Sequence, residues 1–438
     1  MTSQDRRDRF GNPHSPGVPY ARGDLITSTA DDLQKLRAAW QLMRQRVAEG
    51  GLDSVHQLSG LERGLHLESE DMALLDDELA AALCLEELTA LGLEHMGGQA
   101  PDHDIMMLNR VTAGLLVAAE ILIEPGERVI GVSARYSHPA VVRAVAHAGG
   151  QFTDTAGLGA FRAALASGAP VSTVVLTRLA VSYEILPEAE IREIVRLAKA
   201  AGARILVDDA GGARVGPAVF DQPKTMALGV DVGVTGLDKY GTVGPRLGLL
   251  VGHNDLVRKI RARAFEIGLE ARPMLYPAVV RSLKGYRPER VRELVDCTKL
   301  VAAELKDRLG ANRLFETPVT IQIPAEDLLE IALERAGLVQ APVVPYEATA
   351  ALAMLLLRDH GILTVHFAGL PPGTAALMIK FVPPETLARF GGAAQLADAV
   401  DRSIDQLAET LKRPEAMAEL ILGAKAQMPE VTGQVPEN

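Results

Sequence analysis

The sequence is poor in several residue patterns, and each absence excludes a class of protein. Its 438 residues include only two cysteines, Cys84 and Cys297, and the residues around them lack metal-ligand spacing. No apolar run reaches the roughly 20 residues that a membrane-spanning helix requires. The polar N-terminus lacks the apolar segment of a signal peptide. The sequence therefore predicts a soluble, cytoplasmic protein with two buried thiols, no metal site and no membrane partner.

Positive charge is also scarce. The chain has 45 Lys and Arg against 56 Asp and Glu, a net charge of −11, whereas nucleic-acid binding needs clustered cationic side chains. Internal repeats, a P-loop, an HExxH motif and a Gly-x-Ser-x-Gly elbow are absent from the sequence. Hydrophobic content of 48% and charged content of 23% are typical of a globular protein. We expect two or three domains and no nucleic-acid partner.

The informative patterns are concentrated between residues 204 and 252. They predict three buried strands, with a glycine-rich turn and a crossover helix between the first two. The strands are predicted at 205–207, 232–235 and 247–251, and the helix near 225–228. Strands that alternate with helices in this way indicate an open α/β sheet.

Charged residues follow the first two of these strands. Asp208 and Asp209 come directly after the first strand, and Lys239 comes just past the second. Open α/β sheets bind ligands in the crevice at the carboxyl ends of their strands. A lysine in such a crevice can neutralise a phosphate, act as a base or form a Schiff base, and the third use requires a partly deprotonated amine. Asp208 and Lys239 therefore suggest a ligand site.

The segments VDDAGGA and TGLDKYGTVGPRLGLLVG resemble fold-type I pyridoxal-phosphate enzymes, and are most similar to the branch containing bacterial selenocysteine synthase and D-glucosaminate-6-phosphate ammonia lyase. The likeness covers about residues 109–252. It implies an α/β fold with a large, mostly parallel sheet domain and a smaller α+β C-terminal domain. It also implies that pyridoxal 5'-phosphate forms a Schiff base with Lys239 while Asp208 holds the pyridinium nitrogen protonated. Asp209 competes with Asp208 for that role.

Further cofactor contacts follow from the resemblance. The small residues Thr112, Ala113 and Gly114 open a predicted helix whose free N–H groups would bind the cofactor phosphate. His138 would stack on the pyridine ring, with Tyr136 as the alternative. The other implied contacts are Thr177, which follows the strand at 171–176, Ala210, which is small enough to lie against the ring, and Thr235.

Substrate contacts are less defined. Relatives with an amino-acid substrate often bind its α-carboxylate through an arginine of the small domain, but the segment ALMIKFVPPE offers Lys380, which gives a point charge instead of a bidentate fork. The other candidates are Arg178, Arg246 and His366. Packing or surface roles are the alternative for Lys380, Arg246 and His366. The resemblance also places residues 240–243 near the cofactor phosphate of a partner subunit, because such enzymes work as homodimers or higher homo-oligomers.

The sequence predicts four segments. Residues 1–60 form an N-terminal arm and a helix that begins after Ser28, and the arm is too rich in Pro, Gly and charge to fold alone. In the resembled enzymes such arms often wrap a partner subunit. Residues 61–285 form the large cofactor-binding domain, residues 286–427 form the small domain, and residues 428–438 form a disordered tail.

The leading functional hypothesis is an enzyme that removes a proton from the Cα of an amine substrate and then eliminates a β-substituent, as a lyase. An aminotransferase uses the same carbanion and is the nearest alternative. A selenocysteine synthase-like transferase is a second alternative, which the acidic composition disfavours because that enzyme binds a transfer RNA. A ligand-sensing relative without catalytic activity is the third.

Overall fold

A computed structural model describes residues 6–367 and 370–423. The predicted disordered tail at 428–438 lies outside these residues. Within them, no helix combines the length and the apolar character that crossing a membrane requires. Twelve strands are named here in chain order: β1 (His56–Gln57), β2 (His103–Leu108), β3 (Arg128–Ser133), β4 (Gln151–Ala156), β5 (Thr173–Thr177), β6 (Arg204–Asp208), β7 (Val232–Gly236), β8 (Gly248–His253), β9 (Phe315–Thr317), β10 (Thr320–Ile323), β11 (Ile362–Leu363) and β12 (Leu377–Lys380).

The α-helices of the same residues alternate with these strands in the first two thirds of the chain. They are α1 (Thr29–Gly50), α2 (Asp77–Met96), α3 (Val111–Leu122), α4 (Pro139–His147), α5 (Gly157–Leu165), α6 (Glu188–Ala200), α7 (Gly212–Phe220), α8 (Asn254–Glu266), α9 (Tyr276–Lys284), α10 (Pro288–Leu309), α11 (Ala325–Ala336), α12 (Pro345–His360), α13 (Pro384–Phe390), α14 (Ala393–Leu411) and α15 (Pro414–Leu422).

The large sheet has seven strands in the order β2-β8-β7-β6-β5-β3-β4. The five strands β7, β6, β5, β3 and β4 pair in parallel, whereas β8 pairs antiparallel with both β7 and β2. Strands β5 and β7 are buried at every residue, as expected where helices cover both faces of a sheet. The predicted α/β class with a mostly parallel sheet is confirmed.

The crossover between β6 and β7 differs from the prediction. The structure forms α7 at residues 212–220, and only a short 3₁₀ turn, Met226–Leu228, occupies the predicted helix position. The α7 sequence contains two glycines and Pro217, which have the weakest helix propensities, so the sequence pattern favoured a turn. Six of its nine residues are buried. Tertiary packing, against α10 in particular, therefore decides this helix.

A second region contains the three-stranded sheet β12-β10-β9, which is antiparallel, with helices α10, α11, α12 and α14 packed around one apolar core. This agrees with the predicted α+β character of the C-terminal part. The N-terminal arm packs on the same core, because Val18, Tyr20, Ala21 and Ile26 are buried in it. The arm is therefore covered by its own chain, and β1 pairs in parallel with β11 of the C-terminal part. The exact domain boundaries remain a prediction.

Candidate active site

A cavity of about 240 Å³ lies at the carboxyl ends of the parallel strands. Thr177 at the end of β5, Asp208 at the end of β6 and Lys239 just past β7 all line it. Residues 370–374 and Lys380, from the small-sheet region, also line this cavity. The cavity thus lies between the two sheets, where the strand order of an α/β fold favours ligand binding.

The position of Lys239 follows from its neighbours. Gly236, the last residue of β7, leaves room for the lysine, since a Cβ there would lie 3.0 Å from Lys239 Cε and 3.1 Å from Val111 Cγ2. Leu61 forms an isolated β-bridge with Lys239, and the Glu62 N–H donates to the Asp238 carbonyl at 2.9 Å. The lysine is therefore held from both sides, by its own strand and by a distant segment.

The Lys239 amine has little negative charge close to it. Its side chain is 19% exposed, and its Nζ is 3.9 Å from Asp238 Oδ1, which is at the limit of an ion pair. Asp238 instead accepts a hydrogen bond from Arg63 Nε at 3.1 Å. Burial lowers the pKa of the Lys239 amine, although Asp238 opposes that effect. The amine is therefore suited to act as a nucleophile or a base.

Asp208 and Asp209 point to different surroundings. Asp208 is 4% exposed and lines the cavity, and its one side-chain hydrogen bond among the described residues comes from the Ala210 N–H at 3.4 Å. Burial raises its pKa to about 6. Asp209 instead forms a buried ion pair with Arg178 and accepts a hydrogen bond from Thr225 Oγ1 at 2.6 Å. Asp209 is thus already satisfied, whereas Asp208 is available to a ligand.

His138 lines the cavity as the N-cap residue of α4. Its Nδ1 accepts a hydrogen bond from the Ala140 N–H at 3.0 Å, which fixes the ring. Burial lowers the pKa of His138 to about 4, so the ring is neutral at physiological pH. The alternative, Tyr136, lines a separate cavity. Of the two stacking candidates, the structure therefore brings only His138 to Lys239 and Asp208.

The hydroxyl group of Thr177 is a further polar group at the cavity. Thr177 lines the cavity, and its Oγ1 is buried without a hydrogen-bond partner among the described residues. A buried hydroxyl that lacks a partner costs free energy unless a ligand or water satisfies it. Ala210 and Thr112 also line the cavity. Six predicted cofactor contacts therefore come together: Thr112, His138, Thr177, Asp208, Ala210 and Lys239.

Three other predicted cofactor contacts do not line the cavity. Ala113 and Gly114 are buried under the helix start. The Gly114 N–H donates to the Arg110 carbonyl at 3.2 Å, and a Cβ at Gly114 would lie 2.7 Å from Val234 Cγ1. Its small size therefore permits close packing of α3 on the sheet, not anion binding. Thr235 is fully buried and accepts a hydrogen bond from Arg214 Nη1 at 3.1 Å.

Two predicted substrate contacts are corrected in the same way. Arg178 is fully buried in its ion pair with Asp209 and donates to the Pro223 carbonyl at 2.6 Å, so it stabilises the fold instead of reaching a substrate. His366 is 1% exposed and stacks on Tyr346 with ring centroids 6.2 Å apart. Neither residue lines the cavity, because each side chain already belongs to a buried cluster.

The remaining two substrate candidates, Arg246 and Lys380, do line the cavity. Lys380 is 1% exposed and donates to the Tyr240 hydroxyl at 2.9 Å, and that hydroxyl is also hydrogen-bonded to the Tyr183 hydroxyl. Burial lowers the pKa of Lys380 well below its usual value, and Lys239 adds to the effect. Tyr240 is 2% exposed, and the predicted place of residues 240–243 beside a partner's cofactor stays a prediction.

Several cavity residues carry no recognisable sequence signal. Arg63 lies on the segment that bridges to Lys239, far away in the sequence, and Arg143 lies on α4. Tyr183 follows β5 in a loop. Arg110 directly precedes the predicted phosphate turn, and this position in the sequence is the only sign that Arg110 belongs to the site. Nothing in the local sequence distinguishes the other three from surface residues.

The chain is similar in sequence to curated archaeal proteins. It is 29% identical over 403 residues to a protein of Methanothermobacter thermautotrophicus named "UPF0425 pyridoxal phosphate-dependent protein". The aligned residues make up 91% of this chain and 100% of the relative. A protein of the same name from Methanosphaera stadtmanae is 27% identical over 355 residues, 79% of this chain and 87% of the relative. No protein-family model matches the chain. The names of these relatives bear out the predicted cofactor.

Solved structures share the fold at low sequence identity. A pyridoxal-phosphate-dependent cyclase superposes with a TM-score of 0.59 at 15% identity, covering 84% of this chain and 97% of that chain. An alanine–glyoxylate aminotransferase from Nostoc sp. gives a TM-score of 0.54 at 16% identity, covering 80% and 95%. The chain therefore has the fold of fold-type I pyridoxal-phosphate enzymes, as the sequence predicted.

Proposed function

We propose that this protein is a pyridoxal-phosphate-dependent enzyme that acts on an amino acid or related amine, with Lys239 as the residue that binds the cofactor covalently. The observation that carries the proposal is the convergence of a buried amine, a buried carboxyl group, a fixed neutral ring and an unpaired hydroxyl on one cavity. These groups come from four separate segments of the chain. The names of the archaeal relatives support the same cofactor.

The residues present fit the cofactor. Asp208 is buried without a cationic partner in contact among the described residues, so it would accept a hydrogen bond from the N–H of the pyridinium nitrogen. The unpaired Thr177 Oγ1 would donate to the ring oxygen, and His138 would cover one ring face. Thr112 lies at the start of α3, where backbone N–H groups and the helix dipole favour the phosphate. Asp208, the Thr177 hydroxyl, the His138 ring and the start of α3 would thus each contact a different part of the cofactor.

When bound, the cofactor supplies an electron sink that stabilises negative charge on the carbon bearing the amine. Lys239 would supply its amine to the cofactor and, once displaced by the substrate amine, would accept the Cα proton at Nζ. Its lowered pKa favours both roles, because each requires a neutral amine. Asp208, still charged at neutral pH above its pKa of about 6, would keep the pyridinium nitrogen protonated. Residues 370–374 and Lys380 line the cavity on the small-sheet side.

We further propose elimination as the reaction type. A lyase needs a group that gives a proton to the leaving substituent in addition to the base at Cα. The chain of Lys380, Tyr240 and Tyr183 supplies a second proton carrier on the cavity wall. The selenocysteine synthase-like branch remains the proposed placement on the basis of the VDDAGGA and TGLDKYGTVGP motifs. Transamination is the alternative, and added 2-keto acid distinguishes it, because an aminotransferase depends on the keto acid and a lyase does not.

The test of cofactor binding is visible absorption of the purified protein with pyridoxal phosphate, before and after borohydride, followed by peptide mapping. We expect a band that borohydride removes and a label on Lys239. Lys224, which donates to the Glu94 carbonyl outside the cavity, serves as the control through Lys224→Ala, which retains the band. Absence of the band, or a label spread over surface lysines, would contradict the proposal.

We also propose that the protein forms a homodimer, and light scattering of the native protein tests this oligomeric state.

A further inference from the structure

The cavity has a charge distribution opposite to that of the whole chain. The chain carries a net charge of −11, yet the charged residues that line the cavity are four arginines, two lysines and only two aspartates. Clustered charge of one sign in a cleft concentrates ligands of the opposite sign. One of the two aspartates, Asp238, is already paired with Arg63 at 3.1 Å. Among the described residues, the cavity lining therefore carries more positive than negative charge.

Three arginines carry that excess: Arg110, Arg143 and Arg246. Among the described residues, their guanidinium groups form no ion pair and no hydrogen bond, although they belong to a chain with 56 acidic side chains. All three are exposed at the cavity. Guanidinium groups do not lose their charge at physiological pH, so they cannot relieve mutual repulsion by deprotonation. Water and counter-ions screen these exposed groups in the free protein, whereas an anion bound in the cavity would pair with them directly.

The arginines also influence one another across separate segments. Arg110 precedes α3, Arg143 lies on α4, and Arg246 lies between β7 and β8. After burial, the repulsion from Arg110 and then from Arg63 lowers the pKa of Arg246 to about 10, and Arg110 likewise acts to lower the pKa of Arg143. Arg110 is adjacent to the phosphate turn. A cofactor phosphate carries about two negative charges, so it would leave part of this cluster uncompensated.

On the basis of the proposed function, we propose that Arg110, Arg143 and Arg246 select an amine substrate that carries at least two negative charges, through a phosphate or a second carboxylate in addition to an amino-acid carboxylate. Arginine forks match both groups bidentately. A monocarboxylate would use one fork and leave another unpaired. The substrate class is therefore a polyanionic amine, and neutral or singly charged amines are excluded as good substrates.

The first experiment uses amines of the same backbone and increasing charge. The holoprotein is titrated with racemic serine, aspartate and O-phosphoserine, and the shift of the visible band gives each dissociation constant. We expect O-phosphoserine or aspartate to bind at least about tenfold more tightly than serine, since one hydrogen-bonded charge contributes roughly that factor. The order of aspartate and O-phosphoserine tells a carboxylate from a phosphate. Equal affinities for all three would overturn the inference.

The second experiment removes the cofactor reaction from the readout. Acetate, malonate and phosphonoacetate contain no amine, and calorimetry of the purified protein measures their binding directly. We expect binding of malonate or phosphonoacetate, and none of acetate at equal concentration. This result decides the inference even where the visible band fails to form, so the proposed function and the substrate class can fail separately.

The variants Arg143→Gln and Arg246→Gln assign the effect to the cluster. Each is expected to reduce the preference for the polyanionic amine by about tenfold, while the lysine variants Arg143→Lys and Arg246→Lys retain part of it. Arg37→Gln, on the exposed face of α1 and outside the cavity, is the charge-matched control. A loss of pyridoxal phosphate affinity with an unchanged amine preference would overturn the inference, and so would a change of oligomeric mass by light scattering.

Discussion

Two adjacent aspartates, Asp208 and Asp209, show the difference between the cavity and the packed interior behind it. Both are buried, at 4% and 0% exposure. Asp209 is paired with Arg178 and hydrogen-bonded to Thr225. Asp208 has only a long bond from the Ala210 N–H, and burial raises its pKa to about 6. The Asp209 carboxylate is thus fully paired by the protein interior, whereas the Asp208 carboxyl group faces the cavity with one weak hydrogen bond.

The comparison shows how to recognise a ligand site in this fold. A buried charge that lacks a partner lowers stability, whereas a paired one costs much less. Proteins retain the first kind where a ligand completes it, so a strongly shifted pKa in a cleft indicates function. Burial also lowers the pKa values of Lys239 and Lys380 in the same cavity, and the Thr177 hydroxyl there is buried without a hydrogen-bond partner among the described residues. Arg178, which is also fully buried, is instead paired with Asp209 and hydrogen-bonded to the Pro223 carbonyl.

The largest effect is expected for Lys239→Ala. Removal of the amine eliminates both the covalent link to the cofactor and the base at Cα, and we expect turnover to fall by about 10²- to 10⁴-fold. Stability in denaturant should stay close to that of the parent chain, because the amine lacks a close carboxylate partner. The measurements are turnover and urea unfolding of the same preparation. Undiminished turnover would show that another residue carries the reaction.

The two aspartates are compared directly by Asp208→Asn and Asp209→Asn. Asp209→Asn leaves the buried Arg178 charge uncompensated and should lower the free energy of unfolding by about 3 to 5 kcal/mol. Asp208→Asn should leave that free energy unchanged or raise it at pH 8, but it should weaken pyridoxal phosphate binding and turnover. Denaturant unfolding and absorption titration separate the two effects. Equal destabilisation by both variants would remove the distinction drawn here.

Two glycines extend the comparison to backbone positions. At Gly114 a Cβ would meet Val234 at 2.7 Å, and Gly114→Ala should lower the free energy of unfolding by about 1 to 3 kcal/mol through overpacking. At Gly236 the Cβ would meet Lys239 Cε at 3.0 Å. Gly236→Ala should therefore displace the lysine and slow the appearance of the borohydride-sensitive band more than it lowers stability. The reverse order of effects would contradict the assignment of these glycines.

The pH dependence of the cofactor-free protein extends the comparison to the protonation of Asp208. Burial raises the pKa of Asp208 to about 6 from the ordinary value of 3.8, so the folded state binds this proton more tightly than the unfolded state does. The resulting stabilisation is fully present below about pH 4 and is lost as the pH rises to about 6, by at most about 1.4 kcal/mol for each pH unit. Asp208→Asn should lack this dependence. Unfolding free energies of both proteins at pH 4, 5, 6 and 7 test it, and a constant difference would contradict it.

The sequence predicted much of the large sheet because strands buried on both faces form continuous apolar runs, as in residues 205–207 and 232–235. It also predicted Asp208, Lys239 and His138 as a group, because all follow strands whose carboxyl ends meet at one edge. It failed for α7, whose glycines and proline favour a turn. It also failed for Arg178 and Gly114, since a local pattern does not show whether a side chain at a strand end faces the crevice or the interior.

The chain's sequence by itself determined the α/β class, the residues that end the parallel strands and, through the motifs around Lys239, the resemblance to pyridoxal-phosphate enzymes. Only the tertiary structure decided which of two neighbouring aspartates is free, which ring faces the lysine, and that arginines from separate segments line one cavity. The reason is physical. Hydrophobic periodicity is a local property of the chain, whereas the pairing of a buried charge depends on residues that are distant in sequence and meet only after folding.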